Sequence, residues 1–306
     1  MRFLSFAKIN LRLEVLRRRA DGFHELRTVF QTIDLADEID LLPGAPGVAL
    51  EVAEGASLPA DESNLAWRAA AAFLTRWGRA GEGVRIRLRK RIPIGGGLGG
   101  GSSNAATVLA GMALLLGRHP GLERLSEVAA ELGSDVPFFL HGGTALGTGR
   151  GELIQPLPDP DGPALEAWLA VPPVAVSTAR VFAAHRVAVA PPDTVFGTAA
   201  SASEEETAPL VPPPWRALLG RNDLEPTCLA LYPQVRAVYN RLSESGAVAV
   251  RLSGSGSTIF ALFADRAAGQ EAGDRLDHDT IWLPVKTLSR GDWRRRSGLE
   301  ALSGGS

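Results

Sequence analysis

The sequence predicts an α+β protein made of two domains. Its 306 residues are enough for two domains or one large one, and both halves mix strand and helix patterns. A stretch rich in proline and aspartate, Pro156 to Pro163, indicates the boundary between the halves. We therefore expect one domain over residues 1–155, a second over residues 156–289, and a disordered tail over residues 290–306.

Hydrophobic periodicity locates the elements of the first half. Leu11, Leu13 and Val15 alternate with charged residues, which is the pattern of a half-buried strand. The elements predicted around and after it are a polar turn (Arg17 to Gly22), a strand (Leu26 to Leu42) with a break near Asp34 to Asp37, a helix (Ser63 to Trp77) with Ser63 as N-cap, a strand (Val84 to Arg89), a helix (Ala105 to Leu116), and a helix (Leu122 to Leu132) ended by Gly133.

The second half begins with an apolar run, Trp168 to Val171. The stretch from Pro191 to Pro214 is rich in proline and acidic residues, and we expect it to be a long mobile loop. The other predicted elements are helices at Ala179 to His185, Asn222 to Ser243 and Arg266 to Leu276, and strands at Ala247 to Leu252, Thr258 to Ala264 and Ile281 to Val285.

Composition restricts the classes of partner and compartment. The net charge of −2 does not suggest a surface for nucleic acid or membrane. The single cysteine, Cys228, excludes an internal disulfide and a cysteine-cluster metal site, and its apolar neighbours indicate a buried residue. The uncharged stretch from Ile92 to Gly117 begins with glycine and serine, so too little of it is apolar to span a bilayer. We expect a cytoplasmic protein.

The most informative stretch is a glycine run between the strand ending at Arg89 and the helix at Ala105. Six of the seven residues from Gly95 to Gly101 are glycine. Glycine tolerates positive φ and lets a bulky anion approach the backbone N–H groups, and a helix N-terminus adds further donors and a partial positive charge. The run therefore predicts a phosphate-binding loop.

Three other interpretations of the glycine run fit less well. A flexible surface loop need not lead directly into a buried helix. The spacing of Gly95, Gly97 and Gly100 matches the dinucleotide fingerprint, but a helix rather than a strand with an acidic ribose ligand follows. A Walker loop requires a lysine before its serine, and here Gly101 precedes Ser102 directly.

The run from Pro93 to Ala105 resembles the ATP-binding signature of the GHMP kinases, and its doubled Gly-Gly-Gly is most like the 4-diphosphocytidyl-2-C-methyl-D-erythritol kinases. The resemblance implies that ATP, with Mg²⁺ bridging its phosphates, is bound here. It also places Asn64 near the adenosine, with helix capping as the alternative. The implied ATP-binding residues of the run are Pro93, Ile94, Gly95, Gly96, Gly97, Leu98, Gly99, Gly100, Gly101, Ser102 and Ser103.

Two residues are implied to be catalytic. Lys8 stands in Ala-Lys-Ile-Asn-Leu, which is similar to the N-terminal motif of the family; an ordinary lysine at a strand end is the alternative. Asp135 stands in Gly-Ser-Asp-Val-Pro-Phe-Phe, which looks like the segment that carries the catalytic aspartate. Ser134 or Asp135 would also suit a helix N-cap, and both roles could hold together.

A substrate pocket is implied by a third set of motifs. Arg-x-Asp-Gly-Phe-His is similar to the cytidine-binding turn of the family, where Phe23 would stack on the base and His24 would bind its edge; a solvated turn is the alternative. Val-Ser-Thr-Ala-Arg-Val-Phe offers Thr178 and Phe182, the latter as a second stacking ring or as a core residue. Asn10, in the motif of Lys8, is implied to contact substrate.

Two further motifs resemble the family more weakly. Ser253-Gly-Ser-Gly-Ser257 between two strands is a tight turn that the resemblance places beside the phosphates. Asn222-Asp-Leu-Glu-Pro226 also matches, with a helix N-cap at Asn222 or Asp223 as its structural alternative.

The resemblance implies a two-domain GHMP kinase: an N-terminal domain like ribosomal protein S5 domain 2 and a ferredoxin-like C-terminal domain. The implied reaction is ATP-dependent phosphorylation of the 2-hydroxyl of 4-diphosphocytidyl-2-C-methyl-D-erythritol, in non-mevalonate isoprenoid synthesis. A homoserine or mevalonate kinase would not need the Phe23-His24 turn. A non-catalytic nucleotide- or RNA-binding module would not need Lys8 and Asp135 together.

Overall fold

The computed structural model describes residues 1–53, 58–185, 211 and 213–300, and these form two sheets that are each covered by helices. Within the described residues the first sheet has six strands: β1 (Arg2–Arg18), β2 (His24–Pro43), β3 (Gly47–Val52), β4 (Gly83–Arg89), β5 (Thr144–Thr148) and β6 (Leu153–Pro156). The helices that accompany it are α1 (Leu65–Trp77), α2 (Gly100–Leu115), α3 (Leu122–Leu132) and α4 (Phe138–His141).

The first sheet is organised around the long antiparallel hairpin of β1 and β2. Its order is β3-β4-β2-β5-β6, with β1 pairing along β2, and β3 and β4 are parallel. The predicted break near Asp34 to Asp37 is wrong, because β2 runs through it without interruption. The local irregularity is a register shift: Phe6 pairs with Ala36 but Lys8 pairs with Thr32, so β2 carries a bulge that turns Lys8 inward.

The helices of this half pack on one face of the sheet. α2 is buried along almost all its length, in the same core as α1, β2 and β4. α1 begins one residue later than predicted: Asn64 rather than Ser63 is its N-cap, and the Asn64 Oδ1 atom accepts a hydrogen bond from the Ala66 N–H. Ser63 instead donates its hydroxyl to Asp61.

The second half has the ferredoxin-like arrangement. Its strands are β7 (Glu166–Val171), β8 (Ala249–Leu252), β9 (Ile259–Leu262) and β10 (Ile281–Lys286), all antiparallel in the order β10-β7-β9-β8. The helices are α5 (Thr178–Ala184), α6 (Pro213–Leu218), α7 (Glu225–Leu231), α8 (Pro233–Ser243) and α9 (Arg266–Gly273). The helical region predicted over 222–243 is thus two helices, because Pro233 cannot continue α7.

The two sheets share a core, and this brings their edges together at one cleft. Ala7, Ile9 and Val29 of the first sheet pack with Leu169 and Phe260 of the second. The predicted mobile loop from Pro191 to Pro214 lies mostly outside the described residues, and its last two residues begin α6. No described helix is both long and apolar enough to cross a bilayer.

The prediction of a disordered tail from residue 290 is wrong for the part that the structure describes. Ser289 caps a further helix, α10 (Arg290–Ser297), and Trp293 is buried in the core of the first sheet. The Trp293 ring packs on Gly142, where a Cβ would lie 2.1 Å from it. Because this segment is rich in arginine, its composition did not indicate that one face of α10 is buried. Where the two domains divide stays a prediction.

Candidate active site

The glycine loop has the geometry expected of a phosphate cradle. Gly95, Gly97 and Gly99 all have φ between 70° and 76°, a region that side chains with a Cβ avoid. Gly99 is the residue before α2, which begins at Gly100 rather than at Ala105. The glycine-rich first turn of α2 therefore presents its N–H groups to the loop's concave side, together with the positive end of the helix dipole.

The turn between β8 and β9 holds the glycine loop from the other domain. The Ser253 hydroxyl donates to the Gly97 carbonyl at 3.0 Å, and the Thr258 N–H donates to the Gly96 carbonyl at 3.1 Å. Asn222 braces this turn, because its Nδ2 group donates to the carbonyls of Leu252 and Gly254. The turn thus lies beside the phosphate loop. Asn222 is buried in supporting it, and its Oδ1 also accepts a hydrogen bond from the Leu224 N–H just before α7.

The Lys8 ammonium is buried beside the glycine loop, at one end of a cleft. Its side chain is 3% exposed, and its Nζ donates to Gly97 O at 2.9 Å and to Asn10 Oδ1 at 2.6 Å. The Nζ atom also lies 3.5 Å from Oδ2 of Asp135. Burial lowers the pKa of Lys8, and the nearby Asp135 carboxylate opposes that shift.

Asp135 is accessible where Lys8 is not. Its side chain is 36% exposed and lines the cleft. The predicted capping role is wrong, because residues 134–137 form turns and α4 begins only at Phe138, with Pro137 before it. The Asp135 carboxylate therefore does not cap α4, and it is open to the cleft.

Asn10 connects Lys8 to the strand pair beneath it. Its Oδ1 accepts from Lys8, and its Nδ2 donates to the Thr28 hydroxyl at 2.8 Å. Thr28 in turn donates to the Arg12 carbonyl at 2.7 Å. The amide orientation is fixed by this chain of hydrogen bonds, so Asn10, which lines the cleft, also orients the Lys8 ammonium.

Aromatic side chains line the opposite end of the same cleft. The rings of His24 and Phe182 stack with centroids 5.3 Å apart, and the Phe23 ring is half exposed beside them. Phe182 therefore meets His24 in this structure, rather than facing Phe23 across a gap. Burial, His185 and Arg18 all lower the pKa of His24, so its imidazole is neutral at pH 7 and can both donate and accept hydrogen bonds.

The cleft between these two ends has a volume of about 820 Å³. It unites Lys8, Asn10, Phe23, His24, Gly97, Gly99, Asp135, Thr178 and Phe182, all of which the sequence had singled out. Thr178 lies at its wall, hydrogen-bonded to the Ser255 hydroxyl at 2.8 Å. Pro93 and Ile94 line a second cavity of about 740 Å³ on the other side of the glycine loop, with Lys90 and Pro172.

Two side chains that were predicted to bind ATP make hydrogen bonds within the protein in this structure. The Ser103 hydroxyl is buried and donates to the Phe6 carbonyl at 2.6 Å, so only Ser102 of the pair is partly exposed. Asn64 caps α1 and donates its Nδ2 to the Pro59 carbonyl, which is the structural alternative that its sequence context allowed.

Three functional candidates, Lys90, Asp37 and Arg150, were not found from the sequence. Lys90 precedes the glycine loop and pairs with the fully buried carboxylate of Asp37. Arg150 lines the cleft. One signal was present: only three lysines occur in the chain, and Lys90 is one. Arg150 stands between Gly149 and Gly151, a pattern that indicates a tight turn but not what it faces.

Comparison with known proteins identifies the family of this chain. Residues 64–143 match the family model for the GHMP kinases N terminal domain, and residues 213–279 match that for the GHMP kinases C terminal. The curated 4-diphosphocytidyl-2-C-methyl-D-erythritol kinase of Shouchella clausii is 41% identical over 84% of this chain and 83% of its own length. The enzyme of that name from Geobacter sp. is 40% identical over 94% and 99%, respectively.

Solved structures give the same result at two levels. A crystal structure of 4-(cytidine 5'-diphospho)-2C-methyl-D-erythritol kinase superposes with a TM-score of 0.75 at 35% identity, covering 94% of this chain and 99% of that one. A homoserine kinase from Cytophaga hutchinsonii shares the fold, with a TM-score of 0.63 at 22% identity over 94% and 95% of the two chains. The chain therefore belongs to the GHMP kinases and, within them, to the 4-diphosphocytidyl-2-C-methyl-D-erythritol kinase family.

Proposed function

We propose that this protein transfers the γ-phosphoryl group of ATP to the 2-hydroxyl of 4-diphosphocytidyl-2-C-methyl-D-erythritol. The proposal rests on the observation that the two ends of one cleft differ in chemistry. At one end Lys8 and Asp135 lie 3.5 Å apart beside Gly97, and at the other end Phe23, His24 and Phe182 present aromatic surfaces. A cytidine-linked alcohol has a base and a hydroxyl at matching extremes.

Asp135 is proposed to orient the acceptor hydroxyl and to take its proton. A carboxylate within hydrogen-bond reach of a bound hydroxyl can do this, and Asp135 faces the cleft rather than the core. Lys8 is proposed to hold Asp135 in place and to offset charge on the transferring phosphoryl group. Its two hydrogen bonds, to Gly97 and Asn10, fix the ammonium before substrate arrives.

The glycine loop is proposed to hold the phosphates of ATP through its backbone N–H groups. The positive-φ glycines leave the space that a Cβ would otherwise fill, which fits a bulky anion. Mg²⁺ commonly binds through substrate phosphates and keeps several waters. Bound to the ATP phosphates held by the loop, it would offset part of their negative charge. The second cavity, beyond Pro93 and Ile94, is the proposed place for the nucleoside of ATP.

The aromatic end is what favours this substrate over the small alcohols of homoserine and mevalonate kinases. Those alcohols offer no ring to stack on Phe23 or Phe182. A neutral His24 can bind the edge of a base through either ring nitrogen. We also propose a cytoplasmic location, because the proposed substrate is an intermediate of metabolism.

The test is steady-state kinetics of Phe23→Ala and His24→Ala. Stacking of one base on one aromatic ring is worth about 1–3 kcal/mol, and a hydrogen bond is worth about 1 kcal/mol. Phe23→Ala, which removes the stacking ring, and His24→Ala, which removes the bond to the base edge, should therefore each raise KM for the cytidyl substrate about fivefold or more. KM for ATP should stay unchanged. Leu153→Ala removes a similarly exposed apolar side chain outside the cleft and is the control. Equal increases in both KM values would place the base elsewhere.

A further inference from the structure

Arg150 lies in the wall of the cleft, on a turn that reaches from its aromatic end to its catalytic end. Its guanidinium carbon lies 4.9 Å from the centroid of the Phe23 ring, which is the contact with the aromatic end. The next residue, Gly151, is beside the catalytic end, because a Cβ there would lie 3.9 Å from Oδ1 of Asp135. Both Arg150 and Gly151 line the cleft wall.

The backbone of Arg150 is firmly anchored. The turn between β5 and β6 is closed by the Gly151 N–H donating to the Thr148 carbonyl at 3.0 Å. The Gly149 carbonyl accepts from the Leu26 N–H at 2.7 Å, which fastens the turn to β2. Gly149 and Gly151 both have positive φ, so the sequence Gly-Arg-Gly is suited to projecting one side chain from a tight turn.

The guanidinium retains capacity for an anion. Its contact with Glu152 runs from Nε to Oε1 at 3.4 Å, along one edge of the group, and a guanidinium carries five N–H donors. The side chain is 29% exposed, so it is neither sealed in the core nor fully solvated. Resting over the Phe23 ring orients the planar group without using any of these donors.

We propose that Arg150 binds the diphosphate of the cytidine-linked substrate. The inference rests on the function proposed above and adds a residue to that site. The substrate carries its diphosphate between the base and the acceptor alcohol, and Arg150 lies between the places proposed for those two groups. Guanidinium groups match phosphate oxygens with paired N–H donors, which makes arginine well suited to this task.

The other basic groups of the cleft are less suited to the middle of the substrate. Lys8 is committed to Gly97 and Asn10 at the catalytic end, and burial keeps the imidazole of His24 neutral. Arg18 also lines the cleft, at the aromatic end. Among the described residues of the cleft wall, Arg18 is the second arginine that could reach a phosphate. The test therefore includes a substitution of Arg18.

The experiment is isothermal titration of the full chain with cytidine, CMP and CDP. The variants are Arg150→Gln, Arg150→Lys, Arg18→Gln and Arg17→Gln, each checked for folding by its thermal melt. Arg17 pairs with Glu25 on the surface and does not line the cleft, so Arg17→Gln controls for loss of one positive charge.

Wild type should bind CDP more tightly than cytidine. Arg150→Gln should weaken CDP binding at least about tenfold, the effect of losing a hydrogen bond to a charged group, with cytidine binding nearly unchanged. Arg150→Lys should recover part of the CDP affinity, and Arg17→Gln should behave as wild type. This pattern would support the proposal.

Four results would overturn it. Equal loss of cytidine and CDP affinity in Arg150→Gln would mean that Arg150 acts only by supporting Phe23. A selective loss of CDP affinity in Arg18→Gln and not in Arg150→Gln would assign the diphosphate to Arg18. A wild type that binds no cytidine-containing ligand would contradict the proposed function itself, whereas tight cytidine binding with no gain from the phosphates would contradict only the role of Arg150.

Discussion

At the scale of single residues, the central feature is a buried lysine next to an accessible aspartate. The Lys8 ammonium is surrounded by a carbonyl, an amide oxygen and the Asp135 carboxylate, so it is held as a cation although burial lowers its pKa. Asp135 keeps one side open to the cleft. We propose that the pair separates two tasks, with Lys8 supplying a fixed positive charge and Asp135 accepting a proton.

Replacing Asp135 with Asn should leave ATP binding intact and lower kcat at least about a hundredfold, because a positioned general base contributes on that scale. The amide keeps the shape of the side chain but cannot take a proton. Single-turnover phosphoryl transfer, with ADP binding measured in parallel, checks this. Turnover close to that of wild type in a folded variant would remove Asp135 from the chemistry.

Replacing Lys8 with Met should lower kcat more than it raises either KM, because the charge acts on the transferring phosphoryl group. In wild type, kcat should also decline as pH rises through the pKa of Lys8, which lies below the ordinary 10.5. The sign follows from the chemistry, since the charged form is the active one. A variant with unchanged kcat and a raised KM would make Lys8 a binding residue only.

The sequence was a good guide to these residues and a poor one to their surroundings. Lys8 and Asp135 are 127 positions apart, and only resemblance to a family joined them before the fold was known. Local pattern suggested that Asp135 caps a helix, but residues 134–137 form turns and α4 begins at Phe138. Arg150 could not be found from pattern, because only the path of β2 and β5 brings its turn to Phe23.

At the scale of elements, the glycine loop depends on one buried carboxylate on β2. Asp37 is fully buried, and its Oδ1 accepts the N–H groups of Arg91 and Ile92 at 2.7 and 2.9 Å. Its Oδ2 accepts from Lys90 Nζ and from Asn104 Nδ2 on α2. This single side chain therefore fixes both the segment that enters the loop and the helix that leaves it.

Asp37→Asn should destabilise the protein by about 3–5 kcal/mol, because it leaves the Lys90 ammonium buried without its partner charge. Urea unfolding of the variant measures this. Asp40→Asn is the matched control: it lies three residues along the same strand, pairs with the exposed Arg2, and should cost no more than about 1 kcal/mol. Equal effects of the two substitutions would mean that Asp37 is not a special anchor.

Element boundaries show where sequence patterns stop being informative. The strand from Val84 and the helix from Leu122 were predicted within one residue, because their alternation and amphipathic spacing are strong. The bulge in β2 was mistaken for a break, since Asp34 to Asp37 contains two acidic residues. One of them, Asp37, is buried only because four donors from distant segments converge on it.

At the scale of the whole molecule, the chain forms two sheets and then returns to the first. After β10 of the second sheet, α10 packs Trp293 into the core of the first. Composition could not predict this packing of α10, because three consecutive arginines follow the one buried tryptophan and indicate an exposed segment. Because Trp293 packs on Gly142, directly after α4, α10 connects the two halves on the side of the helix that follows Asp135.

The overall arrangement explains why the cleft can recognise a long substrate. The glycine loop and Asp135 come from the first half, Thr178 and Phe182 from the second, and the core shared by the two sheets holds them in one wall. We propose that the choice of substrate depends on the aromatic end, because a small alcohol has no ring to stack there.

The most direct test is a comparison of ATP-dependent turnover of three alcohols by the wild-type protein. The alcohols are 4-diphosphocytidyl-2-C-methyl-D-erythritol, homoserine and mevalonate, with ADP release followed and the product of the first identified by phosphorus NMR. We predict a new phosphate monoester on the 2-hydroxyl of the cytidyl substrate and no measurable turnover of the other two. Phosphorylation of homoserine or mevalonate, with none of the cytidyl substrate, would contradict this account of the cleft.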